Sequence, residues 1–177
     1  MLRQFAFCEY SATRRQLGIA YTRNLALPRA RGVLLQALDQ DALLLPNALA
    51  TLIPHFDKHA IHWAIGQADD LMPDGSRKEY PSPIPFGLRA AAAVNDWAAQ
   101  NGGNWPIHDA ALMTRTASFR ALGGWAGIPS DDELATFAAL SQMTDRYYEE
   151  KPTWLYRHHP KQTHRTEMAQ ALSESGR

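Results

Sequence analysis

The run Val33-Leu34-Leu35-Gln36-Ala37-Leu38 is apolar almost throughout and stops abruptly at Asp39-Gln40-Asp41. A run of this length predicts a buried strand of the kind found in parallel sheets. Carboxylates right behind it stand where open α/β sheets hold ligands, outside the carboxyl ends of their strands. Two carboxylates spaced i, i+2 can converge on one divalent ion. Hard oxygen ligands suit Mg²⁺ or Mn²⁺, which also take phosphate oxygens from a substrate. The plainer reading is that aspartates end strands and open turns.

The flanking segments alternate between helix and strand character. Residues 2–8 alternate and predict a strand. Residues 17–27 carry apolar residues at helical spacing up to Pro28, which disfavours helix at the residue before it. Pro46 to Ile53 reads as a helix with proline in its first turn, and residues 61–69 predict a second strand. Met72-Pro73-Asp74-Gly75-Ser76 reads as a turn. Pro81, Pro83 and Pro85 mark an extended loop, residues 87–100 are helix-like, and 107–114 contain a short strand. A helix over 116–122 ends at Gly123-Gly124 as C-cap glycines end one. Ser130 is an N-cap for a helix from Asp131 to about Met143, with Asp131, Asp132 and Glu133 in its first turn favoured by the helix dipole. The class is therefore α/β.

Composition excludes more than it assigns. Lys+Arg and Asp+Glu are equal at 18 each, so the chain lacks the basic surplus of a general nucleic-acid binder. Cys8 is the sole cysteine, so no internal disulfide staples the fold. No window reaches the roughly 20 apolar residues of a membrane span, and the first ten residues do not form a signal peptide. A cytoplasmic location follows by default. The 177 residues suffice for one domain. We place it at residues 1–165, with a tail over 166–177.

Three other clusters bear on chemistry. Ser130-Asp131-Asp132-Glu133 could supply a general base for an acceptor hydroxyl, or be an ordinary helix start. Tyr156-Arg157-His158-His159-Pro160-Lys161-Gln162-Thr163-His164 is rich in histidine, but no paired cysteine gives it a zinc spacing. His55, His59 and His62 flank a helix-to-strand turn and receive no role. Trp105, Trp125 and Trp154 lie next to Gly or Pro in predicted loops. They could stack on sugar faces or pack against the core.

Taken in order, these segments resemble the family 2 glycosyltransferases, whose fold is of the GT-A α/β type. Tyr21-Thr22-Arg23-Asn24-Leu25-Ala26-Leu27 is similar to the family's Ala-Arg-Asn helix. Ala30 to Leu49 resembles its strand, Asp-x-Asp motif and proline-led helix. Ala121-Leu122-Gly123-Gly124-Trp125 resembles its Gly-Gly-aromatic turn, Ser130-Asp131-Asp132 its Glu-Asp pair, and Tyr156-Arg157-His158-His159-Pro160 its Tyr-Arg-x-His segment. The resemblance covers about residues 17–163. It implies a truncated GT-A-like (Rossmann-like) mixed sheet flanked by helices. Carried over, Asp41 binds a divalent metal, Mn or Mg. Asp39 contacts the nucleotide or supports the metal. Arg23 and Asn24 face the nucleotide side. Asp132 is the base with Asp131 in place of the glutamate, or Asp131 is the base if the register shifts by one. His159 is the last metal ligand or a diphosphate contact.

The sequence also departs from the family pattern. Ala42 replaces a frequent third acid, Pro28 interrupts a usually continuous helix, and the Asp-Asp-Gly-Ser turn of the nucleotide half does not precede residue 17. The resemblance implies an inverting, metal-dependent transferase acting on a nucleotide-sugar donor and an unidentified acceptor. The alternatives are a truncated, non-catalytic relative serving as a partner or scaffold, and an unrelated metal-dependent hydrolase. Loss of the front half would expose a sheet edge, so a homodimer or a partner protein is expected.

Overall fold

The computed structural model describes residues 8–107, 110–128, 132–159 and 162, and of Asp132 and Glu133 the backbone alone. The strand expected over 2–8 and the tail over 166–177 therefore lie outside the described residues, Cys8 of that strand excepted.

Helix α1 spans Ile19–Ala26 and runs into a 3₁₀ turn, Leu27–Arg29, with Pro28 inside it. Strand β1 (Leu34–Gln36) and strand β2 (Leu43–Leu44) flank the Asp39-Gln40-Asp41 turn. Helix α2 (Ala48–Lys58) runs on through Pro54, past the expected end at residue 53, and His59 caps it. The long strand β3 (Trp63–Leu71) turns over Met72–Ser76 into β4 (Arg77–Glu79), a hairpin closed by the Met72 N–H to Ser76 carbonyl bond. Residues 87–100 are not one helix. Strand β5 (Gly87–Arg89) comes first and α3 is confined to Ala93–Gln100, because Leu88 and its neighbours pair with the sheet instead. Strand β6 (Met113–Arg115), α4 (Thr116–Ala121) and α5 (Asp132–Met143) fall close to where the sequence puts them.

The longest strand, β7 (Arg146–Arg157), has no clear sequence signal, since Glu149-Glu150-Lys151-Pro152 interrupts it. The sheet accommodates the proline by breaking register. Glu149 pairs with Gly66, Pro152 with Gln67 and Trp154 with Ala68, so extra residues bulge out of β7. Bulges are among the few places a sheet tolerates proline.

The sheet order is β1-β6-β3-β7-β2, with β4 beside β3 and β5 beside β7. β1 and β3 are both antiparallel to β6, and β7 is parallel to β3. The carboxyl ends of β1, β3 and β7 therefore point the same way. This is a mixed sheet, as expected, but β1 is not the buried parallel strand that its apolar run suggests. It pairs antiparallel with β6 at the edge, and all three of its residues are half-buried.

Alternate side chains of β3 enter two layers. Trp63 and Ile65 pack with Leu27, Val94, Phe119, Phe137 and Leu140 beneath α1, α3, α4 and α5. Ala64 packs with Leu52, Phe56 and Met113 beneath α2. Among the described residues no helix is long and apolar enough to cross a membrane.

Candidate functional site

The carboxyl ends of β1, β3 and β7 bring together residues far apart in sequence. The β1–β6 ladder continues past β1: Ala37 N–H donates to the Leu112 carbonyl and Asp39 N–H to the Ala110 carbonyl. Ala42 N–H then donates to the Asp39 carbonyl at 3.2 Å, closing the turn that presents Asp39 and Asp41. Its floor is a cluster of small residues, Ala42, Ala68, Ala110 and Ala111, around Trp154. Trp154 is fully buried in β7, not in a loop, and its indole N–H bonds the Gly66 carbonyl. Trp125 is buried too, so both of these tryptophans pack in the core.

Asp41 and His159, 118 residues apart, meet with Oδ2 and Nε2 at 2.9 Å. Their side chains are 27% and 31% exposed, so the pair is open to solvent and to a ligand. Gln162, itself buried, shapes the turn that aims His159. It donates to the Arg157 carbonyl at 3.0 Å and its side-chain oxygen faces the His159 N–H. His158 Nε2 lies 3.0 Å from Asp70 Oδ1 at the end of β3, and Tyr156 stands edge-on to its ring. Sequence reasoning missed Gln162 and Asp70, because neither has a recognisable local pattern and both act through tertiary neighbours.

A 2.9 Å separation is a hydrogen bond. It is also the spacing of adjacent corners in an octahedral Mg²⁺ or Mn²⁺ shell, about 3 Å for metal–ligand bonds near 2.1 Å. One carboxylate and one neutral imidazole are donors that such ions accept. Among the described residues no group of three His, Cys, Asp or Glu side chains could hold a metal. A metal here would need water and substrate oxygens to complete its shell, which is how Mg²⁺ commonly binds beside phosphates.

A second line of contacts ties Asp39 to the start of α5. The Arg23 guanidinium pairs with Asp39 and lies over the Trp125 ring, 5.5 Å from its centroid. Asn24 grips the Trp125 backbone from both sides: its amide donates to the Trp125 carbonyl at 2.8 Å and accepts the Trp125 N–H at 2.9 Å. A Cβ on Gly124 would lie 2.3 Å from Asn24 Oδ1, and φ is +85° there, so the Gly-Gly-aromatic turn needs glycine at this point. Thr136, in the second turn of α5, accepts the Ala126 N–H at 2.8 Å. Asp132, the first residue of α5, is thus fixed to the same unit by its helix. Asp131 and Ser130 lie outside the described residues.

Two further histidines have structural partners. His55 Nε2 meets Glu149 Oε2 at 2.8 Å and its ring stacks on Tyr147, while His62 Nδ1 bonds Ser118 Oγ at 2.7 Å.

No protein-family model matches this chain, and no curated protein matches it. Solved structures do. S. aureus TarS 1-349 in complex with UDP-GlcNAc aligns with a TM-score of 0.61 at 15% identity, over 82% of this chain and 40% of that one. The UDP complex aligns with a TM-score of 0.58 at 16% identity over 80% and 40%, and TarS 1-349 on its own with 0.55 at 13% over 78% and 40%. This chain thus spans about 40% of the length of the structures it matches. At such identities the likeness is one of fold: a curled mixed α/β sheet flanked by helices, similar to glycosyltransferase structures.

Proposed function

We propose that this chain carries the metal and acceptor side of an inverting transferase of the family 2, GT-A type that uses a nucleotide-sugar donor. The observation that carries the reading is the Asp41–His159 contact, which joins two segments that the resemblance alone had paired. A UDP-sugar bound in the TarS complex supports a nucleoside diphosphate as the donor's leaving group.

In this reading Asp41 and His159 would hold Mn²⁺ or Mg²⁺, with Gln162 fixing the histidine. The bound ion would neutralise charge on the departing diphosphate. Asp39 takes the ribose side of the donor, kept in place by Arg23, which is braced on Trp125. Asp132, or Asp131 one residue earlier, removes the proton from the acceptor hydroxyl as it attacks the sugar carbon and the bond to the diphosphate oxygen breaks. The unit built from Asn24, Trp125 and Thr136 holds the base and donor sides in fixed relation.

Isothermal titration with UDP tests the proposal. Binding is expected with Mn²⁺ present, with loss on chelation and in Asp41→Ala. Equal binding with and without Mn²⁺, or none in the intact protein, overturns it. Sugar release into water with no acceptor present would favour hydrolysis over transfer.

A further inference from the structure

Two adjacent histidines at the end of β7 reach different carboxylates. His159 meets Asp41, from the turn before β2, and His158 Nε2 lies 3.0 Å from Asp70 Oδ1, near the end of β3. β7 runs between β2 and β3 in the sheet, so the two pairs tie its end toward both neighbours. The register explains the second pair. Asp70 stands level with Tyr156 across the parallel β3–β7 ladder. His158 is two residues further on, and residues two apart on a strand share a face. Its ring therefore comes diagonally against the Asp70 carboxylate. Asp69 lies on the other face and pairs with Arg77.

On the shared face Trp154, Tyr156 and His158 form a column, each ring edge-on to the next, with centroids 6.3 and 5.0 Å apart. Trp154 at its base is fully buried. The backbone adds a further tie. The His158 N–H donates to the Leu71 carbonyl at 2.9 Å and carries the ladder one residue past β7. His159 follows directly.

We propose that Asp70 is a positioning residue for the candidate metal site. It holds the His158 ring, and through the peptide that joins the two histidines it sets where the His159 imidazole meets Asp41. Partners behind a metal ligand orient it, and their loss typically costs about 10- to 100-fold in metal affinity. Gln162 takes His159 from the other side in sequence, through its contact with the His159 N–H. The effect on binding rests on the reading of Asp41 and His159 as metal ligands, whereas the hold on the strand end does not.

Asp70→Ala, at a partly exposed position, should leave the circular dichroism spectrum unchanged. Mn²⁺-dependent UDP binding, followed by calorimetry, should weaken about tenfold. Asp70→Asn, which keeps an oxygen beside the ring, should weaken it only about threefold. In a His159→Asn background, which leaves a poorer ligand beside Asp41, the Asp70→Ala change should add no further loss, because Asp70 acts through His159. In the metal-free protein Asp70→Ala should speed amide exchange about tenfold at His158 and Gln162 and leave Ile65, in the buried middle of β3, unchanged. Equal Mn²⁺-dependent affinity in Asp70→Ala and the unmodified protein, or the same tenfold loss in the His159→Asn background, would overturn the proposal. If the unmodified protein binds no UDP with Mn²⁺, the sugar-transfer reading fails by itself, and the exchange rates decide the positioning role. Unchanged exchange at both amides overturns that role in either case.

Discussion

Strands β1 and β3 both begin as apolar runs, yet they end in opposite situations. Trp63 to Ala68 in β3 are buried without a break, whereas every residue of β1 is half-exposed. The difference lies in the neighbours, not in the strands. β3 has β7 along one side, and β6 and then β4 along the other, with helices over both faces. Among the described residues β1 has β6 on one side only. The β3–β7 pair therefore carries the stability of the domain, while the β1 end, with its Asp39–Asp41 turn, is free to present chemistry and an edge.

That contrast can be broken by substitution, and the largest effect belongs to the centre. A Cβ on Gly66 would lie 2.3 Å from the side chain of Thr153, which is itself buried. Gly66→Ala should cost about 3 kcal/mol in urea unfolding, since neither strand can yield in a packed sheet. Asn24→Ala comes next. It removes the two bonds to the Trp125 backbone and leaves a buried N–H without its acceptor, for a loss of about 2 kcal/mol. It should also weaken Mn²⁺-dependent UDP binding, because Arg23 and Trp125 lose their common brace.

Arg146, at the start of β7, reverses the sign. It is 1% exposed over the Trp63 ring, and its Nε and Nη1 have no hydrogen-bond partner among the described residues. Burial, with a smaller push from Arg89, lowers the guanidinium to about 10, so it stays charged at neutral pH. Arg146→Met keeps most of the volume and removes a buried charge that has no carboxylate partner among the described residues. The variant should be about 1 kcal/mol more stable. A loss of stability would mean that the Trp63 contact outweighs the burial cost. The smallest stability change is expected for Asp41→Ala, within about 0.5 kcal/mol for a partly exposed pair, although Mn²⁺-dependent UDP binding should be lost. If Asp41→Ala destabilised the fold more than Gly66→Ala, the division between a structural centre and a functional end would fail.

Much of this was legible in the chain itself. The positive-φ Gly123 that follows the α4 C-cap, the helix from the acid-rich start at Asp132 to Met143, and the Met72–Ser76 turn are local, and local rules find them. β7 escaped because its stability comes from β3 and from bulges that absorb Pro152, features that no window of its own sequence contains. The run 87–100 misled for the reverse reason: its alanines favour helix, but Gly87–Arg89 gains more as a strand beside β7.

The sequence by itself determined the α/β class, the placing of acids behind an apolar strand, and the residue types able to hold a metal and a nucleotide. Only the tertiary structure decided that Asp41 touches His159, that Asn24 serves the Trp125 backbone, and that β1 stands at an edge. Hydrophobic period and turn chemistry act over a few residues and can be read along the chain. Which strands become neighbours depends on how all the apolar faces are buried at once, and that is settled by the packed whole.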